Sequence, residues 1–197
     1  DRIRFPACLL PSQTCLGKTY GDEFFRPIFA AAAEYDMPLA IHGAPSRGLG
    51  FDHFTEFARV HALEHPFPLM INLTDMIFSG LFDDYPNLRI SFLEGGCSWV
   101  PFMMDRLDYE YDAIQGAKAR ERLKKRPSEY IAEGENFWVS VELGEKGLKY
   151  AVDAIGSERI MYASDYPHEP TEEDLSADLP DFLADSDYSD TVKTNVV

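Results

Sequence analysis

Short apolar runs rich in β-formers alternate along the chain with longer stretches whose apolar residues recur every three to four positions. Strand-like runs fall at residues 3–10, 39–42, 88–94, 137–142 and 159–163. They are continuous rather than alternately polar, as expected of strands covered by helices on both faces. Helices are predicted from near Asp22, a good N-cap, with Phe25, Ile28, Phe29 and Ala32 on one face. Further helices are predicted over residues 52–64, 68–82 and 98–111, the last continuing as a charged helical stretch to about 132. Another, over residues 146–155, ends at Gly156, a suitable C′ glycine. Residues 43–50 read as a loop rich in turn formers. This alternation of strand and helix predicts an α/β fold with a parallel sheet and outer helices.

A chain of 197 residues reads as a single domain. A complete eight-stranded β/α barrel takes about 250 residues. Any barrel here is therefore expected to be partial, roughly its strands 4 to 8. The first run begins without Met, read as a truncated or processed start, and the C-terminus is expected to be cut short as well. The acidic residues crowded between 169 and 190 read as a solvated loop or tail.

Charge and cysteine content narrow the partners. With 18 Lys and Arg against 34 Asp and Glu, the formal net charge is −16, which repels phosphate backbones and anionic lipid headgroups. Nucleic acid and membrane are therefore not expected partners, and no run approaches the ~18 apolar residues that span a bilayer. Three cysteines, Cys8, Cys15 and Cys97, make no disulfide framework and fit a reducing cytoplasm. A small-molecule substrate is the expected partner, with homo-oligomerisation left open.

In a barrel, chemistry gathers at the C-terminal ends of the strands. Three ends carry candidate groups: His42 before Gly43, Glu94 before Gly95-Gly96, and Asp165 with His168 three residues on. Imidazole nitrogen and carboxylate oxygen are the usual ligands of a catalytic divalent metal. Singly, each has an ordinary structural reading: a hydrogen-bonded strand-end histidine, a glutamate paired with an arginine, an aspartate capping a turn. Together, on successive βα units, they favour a metal-assisted site. Zn²⁺ is the metal expected first, and mixed N/O ligands also admit Mn²⁺.

The tracts PLAIHG, YPNLRISFLEGGCSWVPFMMDRLD and SERIMYASDYPH, in that order, resemble the amidohydrolase-related family that includes aminocarboxymuconate-semialdehyde and resorcylate-type decarboxylases. The resemblance runs from about Phe24 to His168. It implies a metal-dependent enzyme that hydrolyses or decarboxylates a small carboxylated substrate, an aromatic one included. It assigns His42 as a metal ligand and Asp165 as a ligand also linked to the activated water or the substrate. His168 follows that aspartate as in the family. The family's usual His-x-His or Glu-x-His opening motif is absent here, which fits entry near the fourth barrel strand. Where some members carry a catalytic histidine this chain has Glu94, which can act as an acid, a base or a substrate contact.

Arg47, in the loop after His42, is the preferred anchor for a substrate carboxylate; Arg106 more readily pairs with a neighbouring acid. His61 and His65 lie four apart in His-Ala-Leu-Glu-His, which is not a zinc-protease motif and reads as a solvated helix surface. Cys97, Asp75, Ser140 and Trp99 read as structural. The rival readings are a catalytically inert barrel fragment and a doubly wound domain. The second lacks the glycine-rich phosphate loop it requires.

Overall fold

Among the described residues, five short strands pair in chain order, all parallel: β1 (Cys8–Pro11), β2 (Leu39–His42), β3 (Ile90–Leu93), β4 (Phe137–Val141) and β5 (Ile160–Tyr162). The computed structural model describes residues 5–43, 47–168 and 172–197. Between the strands run α1 (Arg26–Glu34), α2 (Phe57–Glu64), α3 (Pro66–Phe78), α4 (Leu81–Asp84), α5 (Trp99–Asp112), α6 (Ala117–Arg122), α7 (Pro127–Ala132) and α8 (Leu148–Ile155). After β5 come α9 (Glu172–Ala184) and α10 (Asp190–Val196). Sequential parallel pairing with a helical crossover after each strand is the layout of consecutive units of a β/α barrel. The expected α/β class and parallel sheet are what the chain forms.

Local chemistry explains most boundaries. The Asp22 carboxylate accepts from the Phe24 N–H and starts the 3₁₀ turn that leads into α1. Pro66 opens α3, where a missing N–H is harmless. Gly80, at φ 72°, breaks the stretch predicted as one helix over 68–82 into α3 and α4. Gly156, at φ 80°, closes α8.

The helix predicted over 52–64 is shorter than expected. Phe51–His53 form a 3₁₀ turn, Phe54 and Glu56 are extended, and α2 starts at Phe57. Phe51 is buried while Phe57 is exposed, so the apolar residues do not continue along one helical face. Residues 3–4 of the first predicted strand and 44–46 of the predicted loop lie outside the described residues.

The acidic segment needs a correction. Residues 172–184 and 190–196 are helices rather than a solvated loop or tail, and 169–171 lie outside the described residues. Phe182 and Val196 are buried, and Phe182 packs on Tyr188 with ring centroids 5.3 Å apart. Asp181, Asp185 and Asp187 face solvent, and Ser189 caps α10. A dense run of acids masked a sparse apolar period whose contacts outweigh it.

The core lies between the sheet and α1, α3, α5 and α8. Ile41, Ile90, Phe92, Phe137 and Val139 of the central strands are fully buried against Phe29, Leu69, Leu73, Met76, Val100 and Ala151. Each large apolar side chain so buried contributes about 1.5–3 kcal/mol. Phe92, Trp99 and Phe137 form a mutual aromatic cluster, with Phe92 and Phe137 centroids 5.3 Å apart. The edge strands are less covered: Leu9 of β1 is 63 % exposed and Met161 of β5 is 37 % exposed. No helix among the described residues is long and apolar enough to cross a membrane.

Candidate active site

Register sets the site. His42 is the last residue of β2 and lies opposite Leu93, so Glu94 projects one residue beyond it on the adjacent strand. Asp165 follows β5, two strands from Glu94, or about 10 Å at the usual strand spacing. Both carboxylates leave their strands in the left-handed region, Glu94 at φ 61° and Asp165 at φ 52°. That conformation costs a non-glycine residue roughly 1–2 kcal/mol. From these two positions the side chains bring ligand atoms within 4.8 Å of each other. The buried Ser140 hydroxyl of β4 accepts from the Glu94 N–H at 3.0 Å and holds the first of these turns.

The result is a chain of four groups. His42 Nε2 lies 2.9 Å from Glu94 Oε1. Ligand oxygens of Glu94 and Asp165 lie within 4.8 Å of each other. Asp165 Oδ1 lies 3.0 Å from His168 Nδ1. Ligand atoms of Glu94, Asp165 and His168 lie within 4.8 Å of one another, and His42 joins them through Glu94. His168 is the most exposed member, with 74 % of its side chain open.

The hydrogen bonds assign the tautomer. His42 Nδ1 is 2.6 Å from the Gly43 carbonyl oxygen, which can only accept, so Nδ1 carries a proton. In the neutral ring, Nε2 then presents its lone pair towards Glu94. A contact of 2.9 Å between that lone pair and a carboxylate oxygen requires something positive between them, a proton or a cation. Burial raises the Glu94 pKa above the ordinary range, and the neighbouring Asp165 carboxylate raises it further. The charges of His42 and His168 oppose that rise. Such a set of one lone-pair nitrogen and two carboxylates fits a divalent metal, with the Nδ1–H to carbonyl bond orienting the imidazole as metal-ligating histidines require.

The remaining sequence candidates separate. Arg47 is not among these four groups. Its backbone is clamped by the Gln13 amide, at 2.8 Å and 2.6 Å, and it lines a cavity of about 430 Å³ beyond β1. The buried Ser12 hydroxyl lines the same cavity and has no hydrogen-bond partner among the described residues. Arg106 pairs with Glu110 at 2.5 Å.

Cys97 is buried beneath Glu145, whose carboxylate accepts from the N–H groups of Cys97 and Ser98 at the start of α5. Burial first, then that carboxylate, push the Cys97 thiol well above its usual range and leave it unreactive. Asp75 accepts from Thr19 and Gly21 and ties the first loop to α3. Two features escaped the sequence: Ser140 as the anchor of Glu94, and the burial of Glu64 between His61 and His65. For Ser140 the available signal was its position level with the end of β3 on the neighbouring strand.

The chain belongs to the amidohydrolase family, whose pattern it matches over residues 1–197. Among curated proteins it is 29% identical over 184 residues to 2-amino-3-carboxymuconate-6-semialdehyde decarboxylase of Dictyostelium discoideum, covering 92% of this chain and 48% of that protein. It is also 29% identical over 158 residues to γ-resorcylate decarboxylase of Rhodococcus jostii, covering 74% of this chain and 44% of that protein. The chain thus spans about half the length of the curated relatives it matches.

Solved structures agree. The 5-carboxyvanillate decarboxylase of Sphingomonas paucimobilis superposes with a TM-score of 0.78 at 29% identity, covering 97% of this chain and 55% of that one. That of Novosphingobium aromaticivorans, complexed with manganese and 4-hydroxy-3-methoxy-5-nitrobenzoic acid, gives 0.75 at 30% identity, covering 95% and 53%.

Proposed function

We propose that this chain contributes the His42–Glu94–Asp165–His168 half of the active site of a metal-dependent enzyme that removes CO₂ from a small hydroxylated aromatic carboxylate. The observation that carries this reading is Glu94, placed between His42 and Asp165 with its pKa raised by burial. A carboxyl group so placed holds its proton more tightly than an ordinary carboxylic acid does. Decarboxylation consumes one: the ring carbon gains the proton as the carbon–carbon bond to CO₂ breaks. Glu94 is assigned as the group that delivers it. His42 Nε2 and Asp165 are assigned as metal ligands, and His168 steadies Asp165.

The metal supplies Lewis-acid polarisation and positioning of substrate oxygens. Manganese is the proposed ion, ahead of the zinc suggested by the sequence. The bound manganese of the N. aromaticivorans relative supports it, as does the mixed nitrogen and oxygen donor pair of His42 and Asp165. Arg47 is the proposed anchor for a substrate carboxylate, helped by the orphan Ser12 hydroxyl in the same cavity.

The test measures CO₂ release from hydroxybenzoates, including 5-carboxyvanillate and 2,6-dihydroxybenzoate, in the polypeptide that carries this chain. Glu94→Gln should lower turnover by about 10²–10⁴-fold with metal content unchanged. Undiminished turnover in that variant removes Glu94 as the acid. Hydrolysis without CO₂ release favours the amidase-type reading, and no turnover of any substrate by the parent favours an inert fragment.

A further inference from the structure

A second group of metal-type donors lies outside the site described above. His61 and Glu64 sit on the last turn of α2, and His65 joins α2 to α3. Their spacing of three and four residues stacks them on one helical face. One ligand atom from each lies within 4.8 Å of the others. Glu64 is 6 % exposed although it carries a carboxylate, while both imidazoles remain partly open to solvent. A carboxylate buried to that degree needs a positive partner close by.

The surroundings hold the imidazoles in place. Phe57 stacks on His61 with centroids 4.8 Å apart, and the His65 ring meets His61 edge-on at 4.9 Å. On its other side, His65 lies so close to Gly43 that a Cβ there would fall 2.6 Å from its Cδ2 atom. The cluster therefore sits against the residue that follows His42, yet it shares no side chain with the first site.

We propose that His61, Glu64 and His65 form a second divalent-cation site, selective for zinc over manganese, at the α2–α3 junction. Two imidazoles and one carboxylate are three protein ligands, the number used by zinc sites that keep a fourth position open. Ligand bonds of about 2.0–2.2 Å in tetrahedral array put neighbouring donor atoms roughly 3.4 Å apart. Separations within 4.8 Å leave at most about 1.4 Å to close to that spacing. Two nitrogens to one oxygen favour zinc over the harder manganese ion. The proposal is independent of the reaction assigned above.

The test is equilibrium dialysis of the chain against zinc after alkylation of the exposed Cys8 and Cys15 thiols. The parent, His61→Ala and His42→Ala are compared, each checked by circular dichroism. His61→Ala should bind one zinc fewer than the parent, or bind it at least tenfold more weakly. His42→Ala should retain the zinc that His61→Ala loses. Cobalt(II) should give a tetrahedral visible band that the His61 variant lacks, and manganese at equal concentration should not displace the zinc. If His61→Ala does not fold, His61→Gln is read in the same way. Equal zinc stoichiometry and affinity in parent and His61 variant overturn the proposal, as does loss of all zinc in His42→Ala.

Discussion

Replacing Ser140 by Ala removes one oxygen atom and tests how the acid of the site is aimed. The Ser140 hydroxyl accepts from the Glu94 N–H at 3.0 Å, from a β4 position that is 3 % exposed. Its loss leaves that N–H without the partner it has in the fold, a change that costs about 1–3 kcal/mol for a buried donor. Glu94 also occupies the left-handed region at φ 61°. Once untethered, its backbone can relax and recover part of the roughly 1 kcal/mol held there. The net destabilisation should therefore be about 1–2 kcal/mol. For a domain of this size that corresponds to a fall in Tm of about 2–8 °C.

Urea titration and calorimetry measure the global change, and hydrogen exchange at the Glu94 amide measures the local one. A Ser140→Ala variant within 0.5 kcal/mol of the parent, with Glu94 amide protection unchanged, refutes the tether.

Glu94→Gly should raise stability by about 1 kcal/mol in thermal melts, since glycine adopts φ 61° without strain. Gly43→Ala should cost about 1–3 kcal/mol, because the new Cβ would meet the His65 ring at 2.6 Å; a melt matching the parent would show the ring swings away freely. Burial raises the Tyr20 hydroxyl to about 12 from 10.0. Its contribution is intact below pH 10, where folded and unfolded chains both hold the proton, and is lost as pH rises from 10 to 12. The slope is about 1.4 kcal/mol per pH unit. Tyr20→Phe should lose the hydrogen bond to the Pro11 carbonyl and flatten the alkaline limb of the stability–pH curve. An identical limb in that variant assigns the slope elsewhere.

The strands and the groups at their ends were readable because a strand buried on both faces leaves a continuous apolar run, and the polar residue that stops it stands out. Leu39 to His42 and Ile90 to Glu94 are such cases. Helix breaks were less readable. Gly80 and Gly50 act through positive φ, and a glycine does not announce which φ it adopts. The acidic C-terminal segment misled because charge density hid Phe182 and Val196, whose burial fixes two helices. The Ser140–Glu94 tether and the His61–Glu64–His65 cluster depend on juxtapositions, one across strands and one of a buried carboxylate with its helical neighbours. Local periodicity carries no record of either. Arg47 was selected for its place after His42; its backbone pairs with Gln13 and it lines the cavity beyond β1.

Manganese titration of the chain, followed by electron paramagnetic resonance, bears most directly on the shared cation of His42 and Asp165. The parent should take up one manganese ion. Asp165→Asn, which keeps size and removes charge, should lower that affinity at least tenfold, as should His42→Ala. Full manganese occupancy in both variants, at the parent's affinity, would contradict the account at its centre.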